Sequence, residues 1–372
     1  MEAHKREFLK AFGEAGANRR AVCARYEISR KTGYALWNRW QANGEGALHP
    51  GSRRPLHSPD RLPMELEQRI VELRRELRWG PRKLRHALLE EKRERVPSKS
   101  TIEAVLKRNG CVNEERSRKS RAYERFEHEQ PNDLWQADFK GHFGLGNGGR
   151  CHPLLVVDDH SRYLVMLRAC GNEQRGTVQA ILEEAFREAG LPRRMLMDNG
   201  PPWGSAGEDG YTGLEVWLMQ LGVKVSHGKP RRPQTQGKVE RLNRTLGEEL
   251  ELSFRDNEDA QRSFDIYRPR YNERRPHEAL GMRTPASRYR ASDRTYPDQL
   301  PPIEYEERDE VRRVQNGGRI HYKGRQWRVG RAFQGQPVAL RQEEEGKVKV
   351  YFCRQEIAEL DLREGSASGV CE

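Results

Sequence analysis

The sequence predicts a multidomain protein with all-α units at the N-terminus, an α/β core and a small all-β module at the C-terminus. Three observations lead to this prediction. Residues 1–110 repeat the helical spacing of apolar side chains, residues 131–295 alternate between strand and helix patterns, and residues after about 296 carry only short strand patterns. The length of 372 residues is that of two or three domains.

Residues 1–45 are predicted to form three short helices. Phe8 and Phe12 lie on an apolar stripe of the first helix, and Asn18 and Ser29 are placed to cap the second and third. Two helices followed by a short turn and a basic helix are typical of a helix-turn-helix unit, and the other interpretation is an ordinary helical bundle. The basic start of the third helix favours DNA binding, with four candidate contacts: Arg30, Lys31, Thr32 and Tyr34.

A second helical unit follows between two predicted linkers. Residues 46–63 are rich in Pro, Gly and Ser and carry no helical period, which indicates a linker. Residues 64–110 again predict three helices, the third capped by Ser98 or Ser100. Residues 111–130 are charged without an apolar stripe and are predicted to be another linker. The N-terminal part of the chain is therefore expected to hold tandem helix-turn-helix units.

The central segment, residues 131–295, predicts a ribonuclease-H-like fold. Three adjacent strand patterns with short turns indicate an antiparallel meander. Helix and strand patterns then alternate, so that the order is β-β-β-α-β-α-β-α, with a mixed sheet flanked by helices. Residues 296–365 predict a small β-barrel of the SH3-like type, and the last residues, GSASGVCE, a frayed tail.

The positive charge is concentrated in one third of the chain. The formal net charge is +12, and residues 1–130 carry 30 basic and 19 acidic side chains. Such asymmetry indicates an anionic partner, most often nucleic acid, or a well-solvated basic surface. The sequence has no apolar run of transmembrane length, no signal-peptide core and no CxxC pair, so we expect a reducing cytoplasm rather than a membrane or an exported disulfide scaffold.

Three carboxylates are placed to meet in the core. Asp138 lies within a strand, Asp198 ends another short strand, and Glu240 lies on a long helix. Side chains at strand ends of an open α/β sheet face the ligand crevice, and a buried carboxylate is costly unless it is paired or bound to metal. Carboxylate oxygens are the ligands that Mg²⁺ prefers. Each residue alone has an ordinary interpretation, as a turn aspartate or a solvated helix glutamate.

Two other aspartates compete for the same role. Asp158 and Asp159 follow a strand in VVDDHSRY, where they are interpreted as a strand-end turn with one of them pairing with Arg162. Periodicity alone does not select between them and the three carboxylates above. The loop residues Trp203 and Asn199 also leave alternatives open, since Trp203 fits either base stacking or packing, and Asn199 fits a role in orienting ligands or DNA.

Specific motifs accompany these residues. The core carries WQADFKG, VVDDHSRY, MDNGPPW, PRRPQTQGKVERLNRTL and YNERRPHEALGMRTPASRY, and the N-terminal part carries ISRKTGYALWNRW and WGPRKLRHAL. With these motifs the chain, from about residue 4 to at least 290, resembles the insertion-sequence transposases with a retroviral-integrase-type catalytic core, the DDE superfamily. One departure is a longer gap between Asp198 and Glu240, from extra residues in the loop WGSAGEDGYTG, where insertions are tolerated.

The resemblance implies a site, a cofactor and partners. Asp138, Asp198 and Glu240 would be a metal-binding catalytic triad holding two Mg²⁺ ions, with Mn²⁺ as a substitute. The partner would be double-stranded DNA at the bacterial nucleoid, and the arm would recognise terminal inverted repeats. Joining two element ends implies a homo-oligomer of at least two chains. His160 and His227 are expected to be structural, and Gln236 to orient ligands or DNA. The remaining candidate DNA contacts are Arg82, Lys83, Lys229, Arg231, Arg232, Lys238, Arg241 and Arg244.

Two other functions are weighed against DNA strand transfer. A catalytically silent DNA-binding regulator would keep the arm without needing the three carboxylates, and the intact triad favours the enzyme. A ribonuclease-H-type nuclease acting on RNA–DNA hybrids would not need an arm that reads duplex DNA in the major groove.

Overall fold

The computed structural model describes residues 2–49, 62–93, 95–112, 127–204, 210–228, 237–344, 346–364 and 366–369. The chain forms two compact units, Met1–Met64 and Glu65–Glu372. Within the described residues, no helix is both long and apolar enough to cross a membrane.

The first unit is built from three helices, α1 (Glu2–Gly13), α2 (Arg19–Arg25) and α3 (Arg30–Asn43). The predicted caps are present, since the side chain of Asn18 accepts from the amide of Ala21 and that of Ser29 from the amide of Thr32. The helices pack closely, because a Cβ at Gly33 on α3 would lie 2.7 Å from the sulfur of Cys23 on α2.

The end of this unit differs from the prediction. A 3-10 helix, Gly44–Leu48, follows α3, so residues 46–48 are not part of a linker. Ala47 and Leu48 are buried in this unit, and their carbonyl groups accept hydrogen bonds from Arg39 and Lys5. Two apolar side chains that complete a small core outweigh the local Gly-rich pattern. Residues 50–61 of the predicted linker lie outside the described residues.

The second helical unit contains α4 (Met64–Leu77), α5 (Pro81–Glu90) and α6 (Lys99–Arg108). Its apolar faces bury Ile70, Leu84 and Ile102 together with their helical neighbours. Ser98, not Ser100, provides the cap of α6, because its hydroxyl accepts from the amide of Thr101. Most of the second predicted linker, residues 113–126, lies outside the described residues.

A mixed sheet forms the centre of the core, as predicted. The strands are β1 (Trp135–Phe139), β2 (Phe143–Gly144), β3 (Arg150–Asp158), β4 (Leu164–Cys170), β5 (Arg194–Met197) and β6 (Lys224–His227). They run in the order β2-β3-β1-β5-β6, and β4 pairs with β3 outside this order. The pairs β1–β3 and β3–β4 are antiparallel and form the meander, whereas β1–β5 and β5–β6 are parallel.

Helices cover both faces of this sheet. On one face, α7 (Arg175–Ala189) and α8 (Gly213–Gln220) pack against Trp135 and Ala137 of β1. On the other face, α9 (Gly237–Glu249) and α10 (Asn257–Pro269) pack against alternate residues of β3. Since side chains alternate along a strand, the residues of β1 between those apolar positions face α9.

Helix α10 is an element that the sequence analysis did not predict, although its signals are local. Asp256 caps its first turn, and Ala260, Phe264 and Tyr267 are buried at helical spacing. A π-helical turn, Arg270–Arg274, continues from it. Asn272 in this turn donates to the carbonyl group and accepts from the amide of Leu164, which ties the turn to the start of β4.

The C-terminal module is all-β, as predicted. The strands are β7 (Glu310–Arg313), β8 (Arg319–Tyr322), β9 (Arg325–Arg328), β10 (Pro337–Glu344), β11 (Lys347–Phe352), β12 (Gln355–Asp361) and β13 (Ser366–Gly369). A five-stranded sheet runs in the order β13-β12-β11-β10-β7, and β8 and β9 form a second, two-stranded sheet. The predicted tail is wrong in part, because Ser366–Gly369 pairs with β12 as a regular strand.

Candidate active site

The three candidate carboxylates lie within reach of one another's charge, towards one end of the sheet. Asp138 is half-buried on β1, on the face that α9 covers, whereas Asp198 and Glu240 are exposed. Burial raises the pKa of Asp138 to about 6, and the negative charges of Asp198 and Glu240 add to this rise. The three side chains are therefore close enough for their charges to interact.

The parallel strands β1 and β5 bring Asp138 and Asp198 to the same end of the sheet. Asp198 directly follows β5, which runs parallel to β1, so both aspartates lie towards the same end of the sheet. Asn243 on α9 donates from its side-chain amide to Asp138 Oδ2 at 2.9 Å. Asn243 follows Glu240 by three residues, which places both on the same side of the helix.

The start of α9 is anchored by a buried glutamine that sequence reasoning missed. Gln136 Oε1 accepts from the amide of Val239 at 3.2 Å, and Gln136 Nε2 donates to Asp159 Oδ1 at 2.9 Å. Asp159 is fully buried and also forms an ion pair with Lys238. These contacts fix the first turn of the helix that carries Glu240. The available signal is a polar residue on an inner strand, two positions before Asp138.

Asp158 and Asp159, the two competing aspartates, make structural contacts, but neither forms the predicted pair with Arg162. Asp158 Oδ2 accepts from the amide and hydroxyl groups of Ser161, which forms the expected strand-end turn. Burial raises the pKa of Asp158. Arg162 pairs with Glu127 at 3.1 Å rather than with either aspartate, and Asp159 pairs with Lys238 from α9. The sequence could not indicate this pairing, because the partner of Asp159 lies on a distant helix.

The loop after β5 places Trp203 and Asn199. Trp203 is buried and packs on Phe139, with ring centroids 5.6 Å apart, so it is a packed loop aromatic and not an exposed stacking surface. Asn199 donates from its side chain to the carbonyl group of Gly228 at 2.8 Å. His160 and His227 lie in hydrogen-bonded structural positions, His160 beside the carbonyl group of His128.

His227 is held between two acceptors. Its Nε2 lies 2.7 Å from Glu215 Oε1, and its Nδ1 lies 3.0 Å from the carbonyl oxygen of Asp198. Burial lowers the pKa of His227, but the hydrogen bond to Glu215 and the charge of Glu215 outweigh this effect, so that the pKa is raised.

The candidate DNA contacts are spread over several elements. Arg30, Lys31, Thr32 and Tyr34 lie exposed at the start of α3, and Arg241 and Arg244 lie exposed on α9. The ammonium group of Lys238 is occupied by its ion pair with Asp159, which favours a structural role. Four predicted residues, Lys229, Arg231, Arg232 and Gln236, lie outside the described residues.

Arg82 pairs with a residue of the core, and Lys83 lies within reach of charged core residues. Arg82 is exposed and pairs with Glu278 at 2.8 Å. Lys83 is half-buried, and burial with the charge of Arg275 lowers its pKa to about 8. The start of α5 therefore lies against residues 275–278, a placement that the sequence could not indicate, because it depends on how two distant segments pack.

The donor set suits a hard divalent cation that keeps much of its hydration. Among the described residues, no group of three His, Cys, Asp or Glu side chains is already arranged to hold a metal ion. The negative charges of Asp198 and Glu240 nevertheless raise the pKa of Asp138, so negative charge gathers around this carboxyl group. Mg²⁺ is usually bound by one or two carboxylates together with water and substrate phosphates, which fits this arrangement.

Known families match most of the chain in separate segments. Two integrase core domain families match residues 128–233 and 221–285. The C-terminal domain of the IS481 family of transposases matches residues 309–368. A homeodomain-like domain matches residues 32–106, and a helix-turn-helix domain matches residues 4–55.

Two insertion-element proteins and a viral integrase domain are also similar to this chain. The insertion element IS407 31.7 kDa protein of Burkholderia multivorans is 30% identical over 256 residues, which cover 65% of this chain and 88% of the relative. The insertion element IS476 39.2 kDa protein of Xanthomonas euvesicatoria is 29% identical, with 64% and 69% covered. The HTLV-2 integrase catalytic core domain is 19% identical over 44% of this chain and 99% of that chain, with a TM-score of 0.32, too low to support a conclusion about shape.

Proposed function

Because the chain belongs to the insertion-sequence transposases of the DDE/integrase superfamily, we propose that it binds the terminal inverted repeats of its element and catalyses DNA strand cleavage and strand transfer. The observation that supports this most is the charge interaction of Asp138 with Asp198 and Glu240 towards one end of the sheet. Carboxylates from two neighbouring strands and a helix form the donor set that phosphoryl transfer with divalent cations requires.

Asp138, Asp198 and Glu240 would hold two Mg²⁺ ions, for which Mn²⁺ would substitute. When bound, such ions stabilise the attacking and leaving oxygens of an in-line displacement at phosphorus. The residues around the triad position it, since Asn243 holds one oxygen of Asp138. Gln136 holds the first turn of the helix that carries Glu240.

The reaction balances without ATP or a covalent enzyme intermediate. In cleavage, a water oxygen forms a bond to phosphorus at the element end, the bond to the 3′ oxygen breaks, and that oxygen takes up a proton as a 3′-OH. In strand transfer, this 3′-OH attacks a phosphodiester of the target, one P–O bond replaces another, and a target 3′-OH leaves. Arg241 and Arg244 are exposed on α9, where they would contact phosphates.

DNA is the proposed partner, with contacts supplied by the N-terminal arm. The exposed start of α3 carries Arg30, Lys31, Thr32 and Tyr34, in the position from which a recognition helix reads the major groove. The net positive charge of residues 1–130 would attract the phosphate backbone. Joining two element ends to one target requires at least two chains in the active complex.

Strand transfer by purified protein tests this proposal. The substrate is an oligonucleotide duplex with the inverted repeat that flanks the gene, and the variants are Asp198→Asn, Glu240→Gln and Glu248→Gln. The first two are expected to lose Mg²⁺-dependent transfer while keeping end binding. Glu248→Gln is the matched control on the same helix and should behave as wild type. If Asp198→Asn and Glu240→Gln match wild type, the triad assignment is wrong, and if wild type only binds, the regulator hypothesis is favoured.

A further inference from the structure

A buried histidine–glutamate pair lies directly beneath the backbone of Asp198. His227 ends β6, where it pairs with Met197 of β5, the residue before Asp198. One ring nitrogen of His227 lies 3.0 Å from the carbonyl oxygen of Asp198, and the other lies 2.7 Å from Glu215 Oε1. Glu215 on α8 is fully buried. The chemistry proposed above uses neither residue.

The contacts of His227 make it a rigid link. A carbonyl oxygen only accepts hydrogen bonds, so Nδ1 donates to Asp198, and Nε2 shares a hydrogen bond with Glu215 Oε1. Glu215 has a second partner, since its Oε2 accepts from the amide of Thr212 in the capping box that starts α8. A buried carboxylate is tolerated when it is paired and hydrogen-bonded in this way.

The loop after Asp198 lies directly on the histidine ring. A Cβ at Gly204 would come within 2.8 Å of the carbonyl oxygen of Asn199 and within 3.1 Å of His227 Cε1, so glycine permits this close approach. Asn199 binds the carbonyl group of Gly228, the residue after His227. The loop is thereby tied to the end of β6 at two successive residues.

We propose that His227 and Glu215 are positioning residues for the reaction, which hold the backbone of Asp198 so that its carboxylate stays beside Asp138. The link runs from α8 through Glu215 and His227 to the backbone carbonyl group of Asp198. This inference rests on the proposed catalytic role of Asp198.

Two isosteric substitutions separate the two contacts of the ring. The side-chain amide of Asn lies near the position of Nδ1, and the longer amide of Gln reaches the position of Nε2. His227→Asn therefore keeps a donor to Asp198 and loses Glu215, whereas His227→Gln keeps a donor to Glu215 and loses Asp198. Because Glu215 is the buried partner, His227→Asn should be the less stable protein.

Glu215→Gln is the variant that preserves the link. Its amide oxygen can accept from Thr212, and its amide nitrogen can donate to a neutral His227, which still donates to Asp198. We expect this variant to fold and to retain strand transfer within about twofold of wild type, the change expected when hydrogen bonds are exchanged rather than lost.

The experiment measures hydrogen exchange of the 198–204 segment, strand transfer at saturating Mg²⁺, end binding and thermal stability. The amides of Trp203 and Gly204 report on the loop, because both donate within it. His227→Gln should raise their exchange and lower strand transfer by about tenfold, the loss expected from one charge-assisted hydrogen bond, with end binding unchanged. His227→Asn should raise the exchange less and lower strand transfer less than His227→Gln, although it is the less stable protein.

Two results would overturn the inference. One is an exchange rate in His227→Gln equal to that of wild type, and the other is a loss of strand transfer that follows thermal stability across both variants, as a merely structural role requires. Hydrogen exchange needs no catalysis. If wild type transfers no strands, the proposed function fails, and the exchange comparison still decides whether the link holds the loop.

Discussion

Replacing Lys83 with methionine is expected to stabilise the protein at neutral pH. Methionine has a similar length and flexibility and removes only the charge. Lys83 is half-buried where α5 meets the core, and burial with the charge of Arg275 lowers its pKa from 10.5 to about 8. The charges of Glu249 and Glu278 oppose this change without cancelling it.

The size of the expected stabilisation follows from the pKa of Lys83. A fall from 10.5 to about 8 corresponds to about 3 kcal/mol of unfavourable free energy for the charged form. This is an upper bound, because water still reaches part of the side chain. Below about pH 8 the lysine is charged in both the folded and unfolded chains, so the full penalty applies. Between pH 8 and 10.5 only the unfolded chain is charged, so the stability of wild type rises with pH.

Urea unfolding at several values between about pH 7 and 10 measures this difference. Lys83→Met should be more stable than wild type at neutral pH, and the advantage should shrink as the pH rises. Lys99→Met is the matched control, because Lys99 is exposed at the start of α6 and its loss should leave stability unchanged.

A different pattern would refute this reasoning. If Lys83→Met is less stable at neutral pH, or if its advantage does not depend on pH, the ammonium group is not buried at a cost. If Lys83→Met also weakens end binding and reduces its salt dependence, Lys83 contacts DNA, as the sequence predicted.

Other perturbations test the framework around the site. Arg275→Met leaves the buried carboxylate of Glu249 without its 2.7 Å partner and should cost about 3–5 kcal/mol in urea unfolding. The exposed control Arg308→Met should cost less than about 1 kcal/mol. Gln136→Leu removes two buried hydrogen bonds and should lower the free energy of unfolding by about 2 kcal/mol or more. The exposed control Gln326→Leu should leave stability nearly unchanged. Equal effects of the two substitutions would contradict the anchoring role of Gln136. Removal of divalent cations with EDTA should abolish strand transfer but not end binding in a gel-shift assay, and transfer that persists would contradict metal dependence.

Much of the architecture could be predicted because its signals are local. The apolar stripe of α1 and the caps Asn18 and Ser29 depend only on nearby residues, and so does the strand alternation of β1. The same kind of signal is present in α10, so that helix was predictable as well. By contrast, β13 exists because β12 offers it a partner, which no pattern within Ser366–Gly369 could indicate.

The candidate site shows the same division. The residue types and spacing of Asp138, Asp198 and Glu240, together with the surrounding motifs, are enough to indicate a metal-dependent site. Local pattern could not separate these residues from Asp158 and Asp159, because a carboxylate after a strand looks alike whether it binds metal or closes a turn.

The sequence by itself determined most of the helix and strand segments, the charge of the arm and a short list of candidate carboxylates. Only the tertiary structure decided which polar groups meet, as when Asp159 pairs with Lys238 and Lys83 enters the core. The physical reason is the distance along the chain over which each interaction acts. Helical spacing, capping and strand alternation act over a few residues, whereas burial and the choice of a charged partner depend on segments that are far apart in the chain until it folds.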